Sequence, residues 1–426
     1  MDANASETDS SFASRLASNE GAVAAHGTRA NGQGELFALS DKDVNAPHQK
    51  FIHSLSELAQ EEWDRLSGPD DPFSEYAFLE CLEASGSLDE ESGWKPSHLI
   101  MREEEQLVAA APLYLKEHSY GEYIFDFAWA DAAYRAGIEY YPKLVSMAPF
   151  TPATGTRLLA RSDASLRVLR DALLEAANEL QCSSLHMNFL SEHERDLLIE
   201  DPRFLRRETL QFHFTNPGYG SFDDFLGELR SSARKQIRRE RREADALGLE
   251  IELLEGEAIS REDLLAMGTL YQLTCLRKGS YPYLKPRFFE LAYERLRHRI
   301  LLGVARHQGE IVAAAISFKK GENLYGRYWG AREELPNLHF ELCYYRLIEY
   351  AIAHDLERVE AGAQGPHKIK RGFLPVAIHS AHAFTHPGLH AGIAEYLERE
   401  RRANRHQIEA AMRHSPFRQG TAHSIK

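Results

Sequence analysis

Four absences bound the chain. Its 426 residues hold only four cysteines, Cys81, Cys182, Cys275 and Cys343, spread far apart with no CxxC pair. That excludes a disulfide frame and a paired-thiolate zinc site, and reads as reduced core thiols in a cytoplasmic protein. No run of about 18 apolar residues occurs, so no membrane-spanning helix is expected. Positive charge is also short, with 50 Lys and Arg against 64 Asp and Glu and a net charge of -14. DNA is therefore not an expected partner, although a local basic patch still fits. Residues 1–48 lack the apolar stretch of a secretory signal. They are rich in Ala, Ser, Asn, Asp and Gly, and are expected to form a disordered acidic tail.

What is present is a sentence said twice. Residues 98–116 read HLIMREEEQLVAAAPLYLK, and residues 302–320 read LGVARHQGEIVAAAISFKK. The two align without a gap, with Val-Ala-Ala-Ala in register. Each is an apolar run, a polar turn and a second apolar run, which predicts a β-hairpin. A period of about 200 residues is too long for a solenoid and predicts two copies of one domain. The expected division is a first domain over 49–215, a second over 216–400 opened by a basic helix, and a basic helical tail over 401–426.

Element order supports this. Helical periodicity over 54–66, 73–85 and 164–180 brackets the first hairpin, and strands are expected over 140–150 and in SSLHMNFL. The second half shows helices over 222–247, 261–277 and 286–298, then strands over 300–307, 311–319 and 324–331. A helix in LCYYRLIEYAIAHD and a strand in RVEAGAQG close it. The expected class is α/β (α+β) with mixed central sheets.

Four groups of residues carry chemistry. Over 230–242 the chain places Arg234, Lys235, Arg238, Arg239 and Arg242 at helical spacing. So dense a positive face invites a phosphate-bearing ligand such as a nucleotide, coenzyme A or tRNA. The alternative is a solvated helix neutralised by Glu240 and Glu243. The segment EAGAQGPHKIKRGF offers Gln364, His367, Lys368 and Arg371 for phosphate, carboxylate or proton transfer. In the first half His118, Asp126, Trp129, Asp131, Tyr141 and Lys143 fit a polar ligand with a flat or sugar part, or else a buried ion-pair network. Arg327 and Trp329 lie in LYGRYWG, where a charge among aromatics needs a partner. His379, His382, His386 and His390 do not make a metal site, because Pro387 interrupts a continuous helix and no acidic or thiol ligand joins them.

The order of elements is similar to the GNAT acyltransferase fold, in which a helix N-terminus after the fourth strand holds a pyrophosphate. By that resemblance Thr154, Gly155 and Arg157 of PFTPATGTR are candidate binding residues; the second copy's loop has no glycine between Ala331 and Glu341. The strings PLYLKEHSYGEYIFDFAWA, RKQIRRERR, LYGRYWG, LHFELCYY and EAGAQGPHKIKRGF resemble a bacterial Fem-like family of N-acyltransferases and peptidoglycan biosynthesis proteins, built of tandem GNAT domains.

The resemblance implies transfer of an acyl or aminoacyl group from acyl-coenzyme A or aminoacyl-tRNA to an amine, with a muropeptide as one candidate acceptor. No tightly bound cofactor is implied. Such a reaction needs a group that removes a proton from the ammonium and one that protonates the leaving atom. Glu341 fits the first role, Tyr344 or Tyr345 the second, and His367 is a further base. The alternative is a non-catalytic module that recognises cell-wall fragments or nucleotide-linked sugars.

Overall fold

The computed structural model describes residues 47–363 and 365–418, where it is α/β with mixed sheets. The expected tail over 1–48 lies almost wholly outside the described residues, as do Gln364 and the end of the C-terminal segment.

Among the described residues the strands are β1 (His48–Ile52), β2 (Trp94–Pro96), β3 (His98–Glu103), β4 (Gln106–Ala111), β5 (Tyr114–Lys116), β6 (Lys143–Ser146), β7 (Leu159–Ala160) and β8 (Ser184–Leu190). They continue as β9 (Leu205–Thr215), β10 (Glu250–Glu255), β11 (Ile300–His307), β12 (Glu310–Lys320), β13 (Asn323–Ala331), β14 (Arg358–Glu360) and β15 (Leu374–Phe384). A small sheet runs β1-β3-β4-β7. An 11-stranded sheet runs β10-β11-β12-β13-β14-β9-β15-β8-β6-β5-β2. The pairs β13/β14 and β6/β8 are parallel, and the other pairs are antiparallel.

The repeated sentence forms two hairpins with one design. Leu99 faces Ala111 as Gly303 faces Ala315, and Met101 faces Ala109 as Ala305 faces Ala313. Both ladders slip at the same step, after Met101 and after Ala305. Glu104 (φ 53°) and Gln308 (φ 51°) take the same left-handed turn conformation. The hairpins part at Pro112. Without an N–H it cannot continue the ladder, so β4 stops and the chain resumes as β5 in the large sheet. Ile316 stands at the matching place, and β12 runs on to Lys320.

The halves interlock. Strand β15, late in the chain, lies between β9 and β8, while β9 also pairs with β14. Phe73 of the first half packs edge-on against Phe318 and Tyr325 of the second. A single core cluster holds Trp63, Phe78 and Phe150 together with Phe288, Ile300 and Phe318.

Several expected elements differ. The helix expected over 222–247 is two, Phe222–Glu228 and Ser231–Asp245, parted at Leu229 and Arg230. The segment 54–66 is a 3₁₀ turn, Leu55–Glu57, and a short helix, Gln60–Asp64. Strands β1, β2, β7, β9, β10 and β15 are not among the expected ones. The C-terminal helix starts at Pro387, a residue tolerated at a first turn, and ends at Met412.

Candidate functional site

The site forms where β13 and β14 part. These parallel strands pair only from Asn323 to Tyr325 against Arg358 to Glu360. Beyond that, β13 runs on to Ala331 and β14 ends. The register of β12 against β13 slips between Ile316, opposite Tyr328, and Ser317, opposite Gly326. Arg327 is the extra residue of this bulge, a device that re-aims a side chain at the edge of a ladder.

Arg327 Nη2 donates to the carbonyl oxygen of Phe150 at 2.6 Å, and Tyr328 Oη donates to the same oxygen at 3.2 Å. The buried Arg327 Nε has no hydrogen-bond partner. Phe150 has φ 59° and stacks on Tyr283, ring centres 4.6 Å apart. The loop after β6 is thus pinned against the second half. Thr154 N donates to Glu360 Oε2 at 3.2 Å, which closes the floor.

Opposite Arg327 the chain 338–353 forms a helix whose middle turn, Glu341–Tyr345, is a π-helix. Such a bulge is frequent at functional sites and changes which side chains share a face. Tyr344 and Tyr345, neighbours in sequence, have different fates. Tyr344 Oη lies 3.1 Å from His367 Nε2, and its ring packs on Phe340 and Phe373. Tyr345 is fully buried and donates to Glu240. His339 stands between the rings of Trp329 and Tyr344, at 5.3 and 5.4 Å.

The wall is electropositive. Burial lowers His339 to about 4, helped by Lys278, His367, Lys368 and Arg371. Burial also lowers Lys368 to about 8, with Arg327 acting in the same direction, and Lys368 Nζ donates to Gly362 O at 2.8 Å. His367 is exposed and pushed down by its partial burial and then by Arg371 and Lys368. On the floor, burial raises Glu360 to about 7. Arg358 Nε approaches Glu360 Oε1 to 3.3 Å without forming a hydrogen bond, and His213 Nε2 lies 3.8 Å from Oε2.

Of the residues expected from the sequence, this cleft gathers Arg327, Trp329, Tyr344, His367 and Lys368. Others need correction. Glu341 is fully buried, with both oxygens held by Arg241 at 3.0 and 3.1 Å and by Arg346 at 2.9 Å, so it is not a free base. Tyr345 belongs to the core. Arg371 grips Glu240 through two nitrogens, donates to His367 O at 2.7 Å and lies over the Phe340 ring, which leaves it a structural clamp.

The first-half group also separates. Lys143 is fully buried and donates to Ser119, Glu122 and Asp126, at 2.8, 2.9 and 2.5 Å. Trp129 is buried beside His186 and His382, and Tyr141 shares a hydrogen bond with Ser119. This is the buried ion-pair network, not a ligand surface. Asp131 pairs with Arg135 on the outside of helix Phe127–Arg135, and His118 is half-buried, its Nε2 3.3 Å from Glu91 O. Arg157 is buried, and all three of its nitrogens donate inside the fold, to Asn188 O, Asp71, Thr156 O and Ala153 O, so it does not present itself to a pyrophosphate. A Cβ on Gly155 would meet Asp71 at 2.1 Å, so that glycine admits a carboxylate of the fold itself.

On the basic helix Lys235, Arg238, Arg239 and Arg242 form one exposed stripe, at successive steps of three, one and three residues. Arg238 meets Asp223 and Arg239 meets Glu243, both on the surface. Arg234 is half-buried and faces Leu226 O. Arg241 turns inward instead. Glu240, the acidic residue within the run, is buried, not solvated. His379 and His382 lie on β15, His386 caps the C-terminal helix and His390 sits in its first turn, so the four share no helical face.

Glu360, His213 and Lys278 went unread. A charged residue inside the apolar start of RVEAG was the available sign for Glu360.

A mixed sheet parted at a bulged strand, with a basic cleft beside the gap, defines the architecture. The chain belongs to the FemAB-like family, described as peptidoglycan biosynthesis/recognition, whose model matches residues 54–419. Solved structures similar to it include FemX, at 11% identity and TM-score 0.48, covering 78% of this chain and 96% of that one. Another is L-PGS from Bacillus licheniformis, at 13% identity and TM-score 0.43, covering 78% and 98%. A third is a tandem GNAT protein from the clavulanic acid biosynthesis pathway, at 12% identity and TM-score 0.39, covering 80% and 99%. No curated protein matches the chain in sequence. Among the described residues, no helix is long and apolar enough to cross a membrane.

Proposed function

We propose that this chain transfers an acyl or aminoacyl group to an amine in the cleft between β13 and the turn Pro366–Arg371. The carrying observation is the Tyr344–His367 hydrogen bond inside a basic, partly desolvated cleft. In this reading the amine nitrogen attacks the donor carbonyl, an amide bond forms and the thioester or ester bond breaks. His367, held neutral by its surroundings, takes the amine proton. Tyr344, whose hydroxyl burial keeps protonated, gives its proton to the leaving sulfur or oxygen and recovers one from His367. Lys368 and Arg327 hold a phosphate or carboxylate of the substrates.

Family membership supports a peptidoglycan precursor as acceptor. The exposed stripe Lys235, Arg238, Arg239 and Arg242 supports a phosphate-rich donor, acyl-coenzyme A or aminoacyl-tRNA. The matching hairpins support two GNAT-like halves, 49–215 and 216–400. Free thiols at all four cysteines fit a cytoplasmic setting.

The test is a mass-spectrometric transfer assay with acyl-coenzymes A and aminoacyl-tRNAs as donors and nucleotide-linked muropeptides as acceptors. Tyr344→Phe is expected to cut the rate about a hundredfold, the usual scale of general acid catalysis, while leaving the melting temperature nearly unchanged. An unaffected rate in Tyr344→Phe and His367→Ala would overturn the roles. One observation favours a second reading, recognition without transfer: Glu341, the expected base, is locked in ion pairs. Saturable muropeptide binding with no product under any donor would establish that reading.

A further inference from the structure

A second cavity lies at the other end of β9. It has a volume of about 480 Å³, within the range of small-molecule pockets. Its apolar lining comes from Phe204, Leu205 and Leu397, and its rim from Arg206, Arg401, Arg402 and Arg405 with one carboxylate among them, Glu398. His213, beside the transfer cleft, is seven residues further along the same strand. At the rise of a strand this is roughly 24 Å away, so the two sites are separate.

The charge at this pocket is out of balance. Arg195 stands behind Arg206, donating to His379 and pairing with Asp196 at 2.8 Å. Arg206 contacts Glu208, which also faces Arg405 at 3.6 Å, and Arg401 contacts Glu398. Among the described residues Arg402 meets no carboxylate. Five guanidinium groups thus answer to three carboxylates, Asp196, Glu208 and Glu398, an excess of two positive charges. Arg206 Nε is buried without any hydrogen-bond partner, a costly state for a charged donor. Burial, then Arg195, Arg401 and Arg405, push the Arg206 guanidinium below its usual range. Arg401 Nη1 donates to Arg206 O at 2.6 Å, which fixes the C-terminal helix to β9 and makes the rim rigid.

We propose that this pocket binds a phosphate monoester, with the arginine rim on the phosphate and the apolar lining against the organic part. A phosphate monoester carries close to two negative charges near neutrality and offers three acceptor oxygens, which matches the excess charge and the orphaned donor. Guanidinium forks bind such an oxyanion through paired hydrogen bonds. The phosphate has two possible sources, a soluble metabolite or the headgroup of a lipid.

Calorimetric titration of the full chain at low ionic strength tests this, with phenyl phosphate as probe. Cosedimentation with phosphatidic acid and phosphatidylcholine vesicles is run beside it. The expected result is saturable one-to-one binding of phenyl phosphate, weakened at least about tenfold in Arg402→Gln and in Arg206→Gln, as loss of a charge-assisted bond implies. Arg287→Gln, an exposed arginine that lines neither site, should bind like the wild type. Arg402 is exposed, so its replacement keeps the fold even if Arg206→Gln does not. Arg402-dependent sedimentation with phosphatidic acid vesicles, reversed by phenyl phosphate, would identify a lipid headgroup; no sedimentation would identify a soluble ester. Absence of saturable binding, or binding indifferent to Arg402→Gln, would overturn the proposal.

Discussion

Arg371 and Glu240 close a two-pronged ion pair, Nε to Oε2 at 3.1 Å and Nη2 to Oε1 at 2.8 Å, with both side chains 5% exposed. The pair joins the basic helix to the turn that carries His367 and Lys368, so it sets the cleft wall.

Arg371→Ala leaves Glu240 buried and deprived of its cation. A loss of about 3–5 kcal/mol is expected, the scale for breaking a buried pair from one side. Urea unfolding followed by circular dichroism measures it. Glu240→Leu/Arg371→Met should recover most of the loss, because the desolvation cost disappears with both charges. A single-variant loss under 1 kcal/mol would contradict the assignment.

Lys143 distinguishes structure from binding in the first half. Lys143→Met strands Glu122 and Asp126 in a site closed to solvent, and should also cost about 3–5 kcal/mol. Isothermal titration with muropeptide should show unchanged affinity at a temperature where the variant stays folded. A weakened affinity with intact stability would restore the ligand-binding reading of this cluster.

Gly330 sets the spacing of β13 and the helix Arg261–Arg277. A Cβ there would lie 2.3 Å from the backbone carbon of Leu270 and 2.4 Å from Tyr271 N, and backbone cannot swing aside. Gly330→Ala should destabilise by about 1–3 kcal/mol through overpacking. It should also lower transfer activity, since Arg327 and Trp329 ride on the displaced strand. A variant with unchanged melting temperature would show that the helix and strand sit further apart than described.

The pH dependence of stability follows from Glu360. Its carboxyl is raised by burial to about 7, above its ordinary 4.5. Between those values the folded chain keeps a proton that the unfolded chain has released, so unfolding free energy falls as pH rises from about 4.5 through 7. Glu360→Gln removes this contribution, at most about 3 kcal/mol for such a shift. Glu122, also raised to about 7, remains, so the slope should lessen without vanishing. Chemical denaturation at pH 5 and pH 8 reads the difference. A variant that loses as much stability as the wild type over this interval would show that Glu360 titrates normally.

The sequence determined the α/β class, the two hairpins, and in the second half the helices near 261–277 and 286–298 and the strands between 300 and 331, because hydrophobic period and turn chemistry are local. It also offered Tyr344, His367, Lys368 and Arg327 as candidates, which the proposed function retains, where polar groups break an apolar pattern. It misplaced Glu341, Arg371, Arg157 and Lys143, for a charge that anchors a core and a charge that meets a ligand look alike in one dimension. Only the tertiary structure supplies their partners: Arg241 lies 100 residues before Glu341, and Glu240 lies 131 before Arg371. The passage of β15 between β9 and β8 was hidden for the same reason, since strand pairing is decided by which faces bury each other across the whole sheet. The cleft itself depends on a one-residue slip at Arg327 and a single π turn at Glu341–Tyr345. Both change the direction of side chains without altering the residue pattern from which a strand or helix is read.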